Sequence, residues 1–186
     1  MNPRRPLPGD RLPGDPSPRA TLARMLRVDH AGEYGAKRIY QGQLAVLGRG
    51  PHGETLRHMQ AQEQVHLDHF AKLIGERQVR PTALLPFWHV AGFALGAATA
   101  LLGPKAAMAC TVAVEETIDE HYREQHAQLG EDEAPLRDTV ERFRQEELEH
   151  RDIGLEHGAE QAPGYKLLHA AIRAGCRLAI KASERI

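Results

Sequence analysis

An all-α fold, built as a four-helix bundle with an added apolar crossover helix and a C-terminal helix, follows from three observations on this 186-residue chain. Apolar residues recur at helical spacing in every long segment, clusters of Gly and Pro cut the chain into six such segments, and no run alternates polar and apolar residues as a half-buried strand would. The breaks at Gly48 to Pro51, Gly75 to Pro81, Gly103-Pro104, Gly130 to Pro135 and Gly158 to Pro163 predict helices near 20–48, 53–77, 84–102, 105–129, 135–157 and 163–184. The first 19 residues hold six of the twelve prolines together with Arg4, Arg5, Arg11 and Arg19. Such a segment forms neither an amphipathic targeting helix nor the apolar core of a signal peptide, so 1–19 is expected to be a disordered tail and 20–186 a single domain.

The first helix carries Leu22, Leu26, Asp29, Glu33, Ala36, Tyr40, Leu44 and Leu47 on one stripe, and the second carries Leu56, Met59, Glu63, His66, Phe70 and Leu73. A third stripe runs through Met108, Thr111, Val112, Glu115, Ile118, Tyr122 and Leu129, and a fourth through Leu136, Val140, Phe143, Glu147, His150 and Gly154. Each is apolar with acid at its centre, so four helices point carboxylates into one core. The two chain halves also repeat each other. Glu63-Gln-Val-His66-Leu-Asp68 and Glu147-Leu-Glu-His150-Arg-Asp152 lie 84 residues apart, and the upstream Glu33 and Glu115 each have a tyrosine seven residues on, Tyr40 and Tyr122.

Chance alone would produce about one Glu-x-x-His in a chain of this composition, so the bare motif is weak and the repeated set carries the weight. An unpaired buried carboxylate is costly, and four converging on one core demand a counter-charge. Two divalent cations balance Glu33, Glu63, Glu115 and Glu147, with His66 and His150 as neutral donors. The i, i+3 spacing brings each Glu and His onto adjacent turns of one face, within reach of one ion. One Glu from each of two helices and Glu-x-x-His from each of two others is the ligand set of the ferritin-like di-iron and di-manganese bundles. The bland alternative is a set of solvated acidic faces. Asp68 and Asp152 either orient a ligating imidazole or face water, and Tyr40 and Tyr122 read most simply as core aromatics with a satisfied hydroxyl. Gly32 and Gly35 flank Glu33 at a helix-propensity cost of about 1 kcal/mol each, which suits a close approach of another backbone or a substrate.

The net charge of −1, with both signs mixed along the chain, excludes an electrostatic footprint for nucleic acid. Cys110 and Cys176, the only cysteines, have no paired spacing and are expected to be small core residues in a reducing compartment. The third helix narrows the function further. From Pro81 to Pro104 there is no charged residue. A single span there would put Glu63 and His66 on one side of a bilayer and Glu115 on the other, dismantling the metal site. An in-plane helix dipping into one leaflet avoids this, with Phe87, Trp88, Phe93 and Leu95 at the interface. The alternative is a buried crossover, with Gly92 and Gly96 allowing close packing. His89 is expected to be an interfacial or hydrogen-bonded residue rather than a ligand. A two-metal site beside a membrane-facing helix suits oxidation of a lipid-soluble substrate.

On longer strings the chain resembles the demethoxyubiquinone hydroxylase family, membrane-associated di-iron monooxygenases of ubiquinone biosynthesis. The likeness rests on RVDHAGEYGAKRIYQGQLAVLG at 27–48, VRPTALLPFWHVAGFALGAATALLG at 79–103, AMACTVAVEETIDEHY at 107–122, EELEHRDIGLEH at 146–157 and AGCRLAIKASERI at 174–186. It implies two iron ions per chain held by Glu33, Glu63, His66, Glu115, Glu147 and His150, with Glu63 and Glu147 bridging. It implies hydroxylation by dioxygen of the ring of a 2-polyprenyl-6-methoxy-3-methyl-1,4-benzoquinol to its 5-hydroxy product, with NADH as a reductant. No Gly-x-Gly-x-x-Gly fingerprint is present, so a nicotinamide cofactor would bind without a Rossmann unit. Arg24, Arg177 and Arg185 stand at family-like positions for its phosphates, whereas Lys181 replaces an aromatic found in some members. The expected location is the cytoplasmic face of a bacterial cell membrane, or the matrix face in a mitochondrion, with room for partners in a biosynthetic complex. The rival readings are a soluble ferritin-like ferroxidase or peroxidase, and a non-catalytic quinone-binding scaffold.

Overall fold

The computed structural model describes residues 14–186, so 1–13 of the tail expected at 1–19 lie outside the described residues, while its last two residues, Pro18 and Arg19, are helical. The first helix begins two residues earlier than its periodicity predicts, because Ser17 caps it by accepting a bond from Ala20 N at 3.1 Å and Pro18 occupies the first turn, where its missing N–H costs nothing. Among the described residues six α-helices follow in order: α1 (Pro18–Leu47), α2 (Gly53–Glu76), α3 (Leu85–Leu101), α4 (Pro104–Gln128), α5 (Ala134–Glu156) and α6 (Tyr165–Ser183). Short 3₁₀ turns, Glu131–Glu133 and Ala159–Gln161, precede α5 and α6, and no strand occurs among the described residues.

The helices α1 and α2 form one hairpin and α4 and α5 the other, and the two close into a ferritin-like bundle. Phe70, Tyr122, Phe143 and Leu26 fill one end of its interior, and Leu56, Met59, Met108 and Tyr40 the other. The candidate site lies between these apolar plugs. Outside the bundle, α3 runs along α1 and α6 runs along α4.

The crossover is neither fully buried nor a span. Its inner face is pressed against α1 so closely that a Cβ on Gly96 would stand 1.9 Å from the Ile39 carbonyl oxygen, and one on Gly42 2.2 Å from that of Phe93. Only glycine permits that approach. The outer face is bare: Phe87, Val90, Leu101 and Leu102 are each more than 60% exposed. Of the four side chains expected at an interface, only Phe87 is on that face. Trp88 turns inward to donate to Ser183 Oγ at 3.1 Å, Phe93 lies under the Arg38 guanidinium at 5.0 Å, and Leu95 packs beside Ile172 and Ile39. His89 accepts or donates a 2.6 Å bond with the Tyr34 hydroxyl, as a hydrogen-bonded rather than a ligating residue. No helix among the described residues is long and apolar enough to cross a membrane.

The last helix adds to this surface. Leu167 and Leu178 of α6 are 79% and 69% exposed, so most of the strongly exposed large apolar side chains lie on or at the end of α3 and on α6, with Val65 of α2 apart from them. Cys110 is buried beneath α6 and Cys176 is partly buried, with both thiols pushed up, to about 12 and about 11, by burial. They are core residues, as expected.

Candidate metal centre

Glu33 comes from α1, Glu63 and His66 from α2, Glu115 from α4, and Glu147 and His150 from α5. All six are at most 1% exposed. Helical periodicity put each on its apolar stripe, and closing two hairpins face to face brings the four stripes together. The six residues form two overlapping groups. Atoms of Glu33, Glu63, His66 and Glu147 lie within 4.8 Å of one another, as do atoms of Glu63, Glu115, Glu147 and His150. Glu63 and Glu147 belong to both groups, which is the placement a bridging pair requires.

The polar atoms of this cavity are under-satisfied by protein. Both oxygens of Glu63 and one each of Glu33 and Glu115 have no hydrogen-bond partner, although all are buried. Unpaired buried carboxylate oxygens cost several kcal/mol each unless something outside the chain meets them. Burial raises Glu63 and Glu115 well above the usual carboxylate range, and the neighbouring Glu147 charge raises them further. Burial likewise raises Glu33. Burial alone would lift Glu147 too, but hydrogen bonds with His150 and His66 hold it low. Those same bonds overcome the desolvation of the imidazoles, so His66 and His150 titrate above the ordinary histidine range. The set thus gathers protons wherever it lacks a cation, and divalent ions would displace them. Oxygen and imidazole donors of this kind suit a first-row transition metal.

Around these residues the two halves clasp each other. Tyr40, seven residues after Glu33, donates to Glu115 Oε1 at 2.7 Å, and Tyr122, seven after Glu115, donates to Glu33 Oε1. The tyrosines therefore brace the carboxylates across the bundle, beyond the core-filling role expected of them. Asp68 and Asp152 take the outward option: they are exposed and pair locally with Gln64 and Arg151. The imidazole partners are the residues that precede the two glutamates common to both groups. His66 Nε2 meets Glu146 Oε2 at 2.5 Å, and His150 Nε2 meets Gln62 Oε1 at 3.0 Å. Comparing the two motifs position by position would have singled them out.

A cavity of about 300 Å³ opens beside the site, lined by Arg24, Val28, His121, Glu124, Gln125 and Glu184 among others. A smaller one of about 30 Å³ shares Val28 and His121 with it and reaches Asp29, Glu33 and Tyr122. Gly32 also lines the smaller cavity, and nothing lies within 4 Å of where a Cβ on Gly32 or Gly35 would stand. The Cβ side of both glycines is therefore open, while α3 approaches Gly35 from its carbonyl side, where a Cβ on Gly92 would stand 2.9 Å from the Gly35 oxygen. Of the three candidate cofactor arginines, Arg24 lines the large cavity, Arg177 bonds Glu120 at 2.9 Å, and Arg185 is exposed.

Comparison with known proteins gives this architecture a family. The family model described as ubiquinone biosynthesis protein COQ7 matches residues 20–183. A 3-demethoxyubiquinol 3-hydroxylase of Rhodospirillum rubrum is 65% identical over 178 residues, covering 95% of this chain and 84% of the relative. The mitochondrial NADPH-dependent 3-demethoxyubiquinone 3-hydroxylases of Bos taurus and Homo sapiens are 56% and 55% identical, each match covering 90% of this chain and 79% of the relative. With a buried carboxylate and histidine cluster inside a ferritin-like bundle, and a match over nearly its whole length, the chain is an enzyme and belongs to the COQ7 family of ubiquinone biosynthesis proteins.

Proposed function

We propose that this enzyme is a membrane-peripheral di-iron 3-demethoxyubiquinol 3-hydroxylase. It inserts one oxygen atom into the ring of a 2-polyprenyl-6-methoxy-3-methyl-1,4-benzoquinol, giving the 5-hydroxy product. The observation that carries the reading is the pair of overlapping ligand groups sharing Glu63 and Glu147, in a chain 65% identical to a 3-demethoxyubiquinol 3-hydroxylase. Overall, one C–H bond, one dioxygen molecule, two electrons and two protons give one C–OH group and one water.

When bound, two iron ions supply the dioxygen chemistry that no side chain here provides. Glu33 and His66 would hold one ion and Glu115 and His150 the other, with Glu63 and Glu147, common to both groups, available to each. Tyr122 and Tyr40 keep the terminal carboxylates aimed inward by donating to one oxygen of each, which leaves the second oxygen for a metal. Phe70 and Phe143 at one end and Leu56 and Met59 at the other keep bulk water out of the core.

The electron pair comes from a nicotinamide cofactor. Sequence resemblance pointed to NADH, whereas the mammalian relatives' names specify NADPH. Either would use Arg24, which lines the large cavity, with Arg185 nearer the chain end. Arg177 is the weaker candidate, because Glu120 already engages it.

The quinol arrives from lipid. Three large apolar side chains of α3, Leu102 just after it, and two of α6 stand exposed on the outside of the bundle. Each contributes roughly 1.5–3 kcal/mol when it leaves water, enough together for reversible attachment to one leaflet. That surface supports the hydroxylase over a soluble ferroxidase, which has no use for it. The location proposed with this attachment is the cytoplasmic face of a bacterial membrane, or the matrix face of a mitochondrion. Purified, iron-loaded enzyme given demethoxyubiquinol, reductant and oxygen-18 gas should yield product with one labelled oxygen. Oxygen consumption that leaves the quinol unlabelled would favour an oxidase instead.

A further inference from the structure

The repeat that relates the two halves extends beyond the six candidate ligands, and there it breaks on one side only. Moving 82 residues along the chain takes Glu33 to Glu115, Tyr40 to Tyr122, and Gln43 to Gln125. Gln43 donates to Thr111 Oγ1 at 3.3 Å, and Gln125 donates to Asp29 Oδ1 at 2.6 Å, so even this outer contact recurs in both halves. The residues that receive it differ. Asp29 stands one turn before Glu33 where Thr111 stands one turn before Glu115, and His121, 3.2 Å from Asp29, takes the place that Ile39 has in the other half. Moving 84 residues takes Gln62 to Glu146. Each precedes a bridging glutamate and meets the Nε2 of the histidine on the opposing helix, but one is an amide and the other a carboxylate.

The Nδ1 atoms of both histidines face inward. His66 Nδ1 is 2.9 Å from Glu147 and His150 Nδ1 is 3.2 Å from Glu63. A histidine that gives its Nδ1 lone pair to a metal carries its proton on Nε2 and donates it outward. A carboxylate accepting that proton makes the ring a stronger donor than an amide does, and charge-assisted bonds are about twice as strong as neutral ones. We infer that the two metal positions are unequal by construction. The Glu33 and His66 position is the more electron-rich and holds a divalent ion the more tightly, with Glu146 against Gln62 as the positioning residues that set the difference.

The inference rests on the two-iron reading, and one experiment separates the two claims. Full-length protein is stripped of metal and titrated anaerobically with iron-57 as ferrous ion, following both binding steps and the Mössbauer spectrum. The wild type should bind two ions in unequal steps and show two distinct quadrupole doublets of equal area. Glu146→Gln should weaken the tighter step about 10- to 100-fold and draw the doublets together. Gln62→Glu should instead tighten the weaker step, again making the positions alike. The double exchange, Glu146→Gln with Gln62→Glu, should restore two unequal steps, which a merely structural role for Glu146 would not. Should Glu146→Gln fail to fold, the tightened step of Gln62→Glu decides the matter. Glu146→Gln leaving affinities and spectrum unchanged, or weakening both steps equally without rescue by the double exchange, overturns the inference. A wild type that takes up fewer than two ferrous ions overturns the two-iron reading beneath it.

Discussion

The interior of the bundle and the outer face of α3 and α6 invert the usual distribution of polarity. Inside, four carboxylates and two imidazoles lie at or below 1% exposure, several with no hydrogen-bond partner for an oxygen. Outside, Phe87, Val90, Leu101, Leu102, Leu167 and Leu178 face solvent. Each arrangement is costly to a chain alone in water, and each would be relieved by the partner proposed for it: cations for the interior, lipid for the exterior. The difference teaches how tightly each partner is specified. The interior fixes ligand number, donor type and spacing, so it selects its partner closely. The exterior offers area without a shaped pocket, which suits a leaflet rather than a particular molecule.

The interior should break most completely. Glu147→Ala removes a carboxylate common to both ligand groups and the partner of both histidines, so iron content should fall from about two per chain to none, with loss of hydroxylation. Elemental analysis after iron loading reads this directly, and retention of full iron would sink the bridging assignment. The exterior should break independently. Phe87→Asp with Val90→Asp should lower affinity for anionic phospholipid vesicles by at least about 10-fold, given roughly 1.5–3 kcal/mol for each buried side chain. Iron content should be unchanged, and vesicle sedimentation checks the split. Phe93 would be a poor choice, because Arg38 covers its ring.

Smaller effects sharpen the contrast. Ferrous ion at about 100 times its dissociation constant should stabilise the fold by about 2.7 kcal/mol, raising Tm by roughly 5–10 °C for a domain of this size. Calorimetry of stripped and loaded protein measures it, and vesicles should not reproduce it in the stripped protein. In the metal-free protein, Glu33, Glu63, Glu115 and both histidines titrate above their ordinary values. Within this cluster the folded state therefore binds more protons than the unfolded chain, so stability present at acid pH is lost as pH rises through the raised values, opposed by Glu147 in the cluster and by the lowered His30, His69, Glu120 and Glu141 outside it. Tm of stripped protein should fall from about pH 5 to about pH 8, and iron should suppress the fall. Smallest of all, Asp152→Asn should change stability by less than about 0.5 kcal/mol and leave iron content intact, since Asp152 is exposed and pairs only with Arg151.

Much of this was already legible in the chain as a string. Helical periodicity determined the six helices to within a few residues and the faces on which Glu33, Glu63, His66, Glu115, Glu147 and His150 fall, because a 3.6-residue period turns spacing directly into direction. The repeat determined that both halves contribute to one cluster. Periodicity does not determine how two helices are rotated against each other, and every misjudged residue depended on that rotation. Tyr40 and Tyr122 cross the bundle to brace the opposite half's glutamate. Glu146 and Gln62, lying beside the stripe rather than on it, reach the opposing imidazoles, while Asp68 and Asp152 turn to water. The third helix drew attention because it lacks charge, whereas the exposed leucines of α6 were hidden among arginines. Only packing α3 on α1 and α6 on α4 decided which of their apolar side chains are spent on the bundle and which remain on the surface.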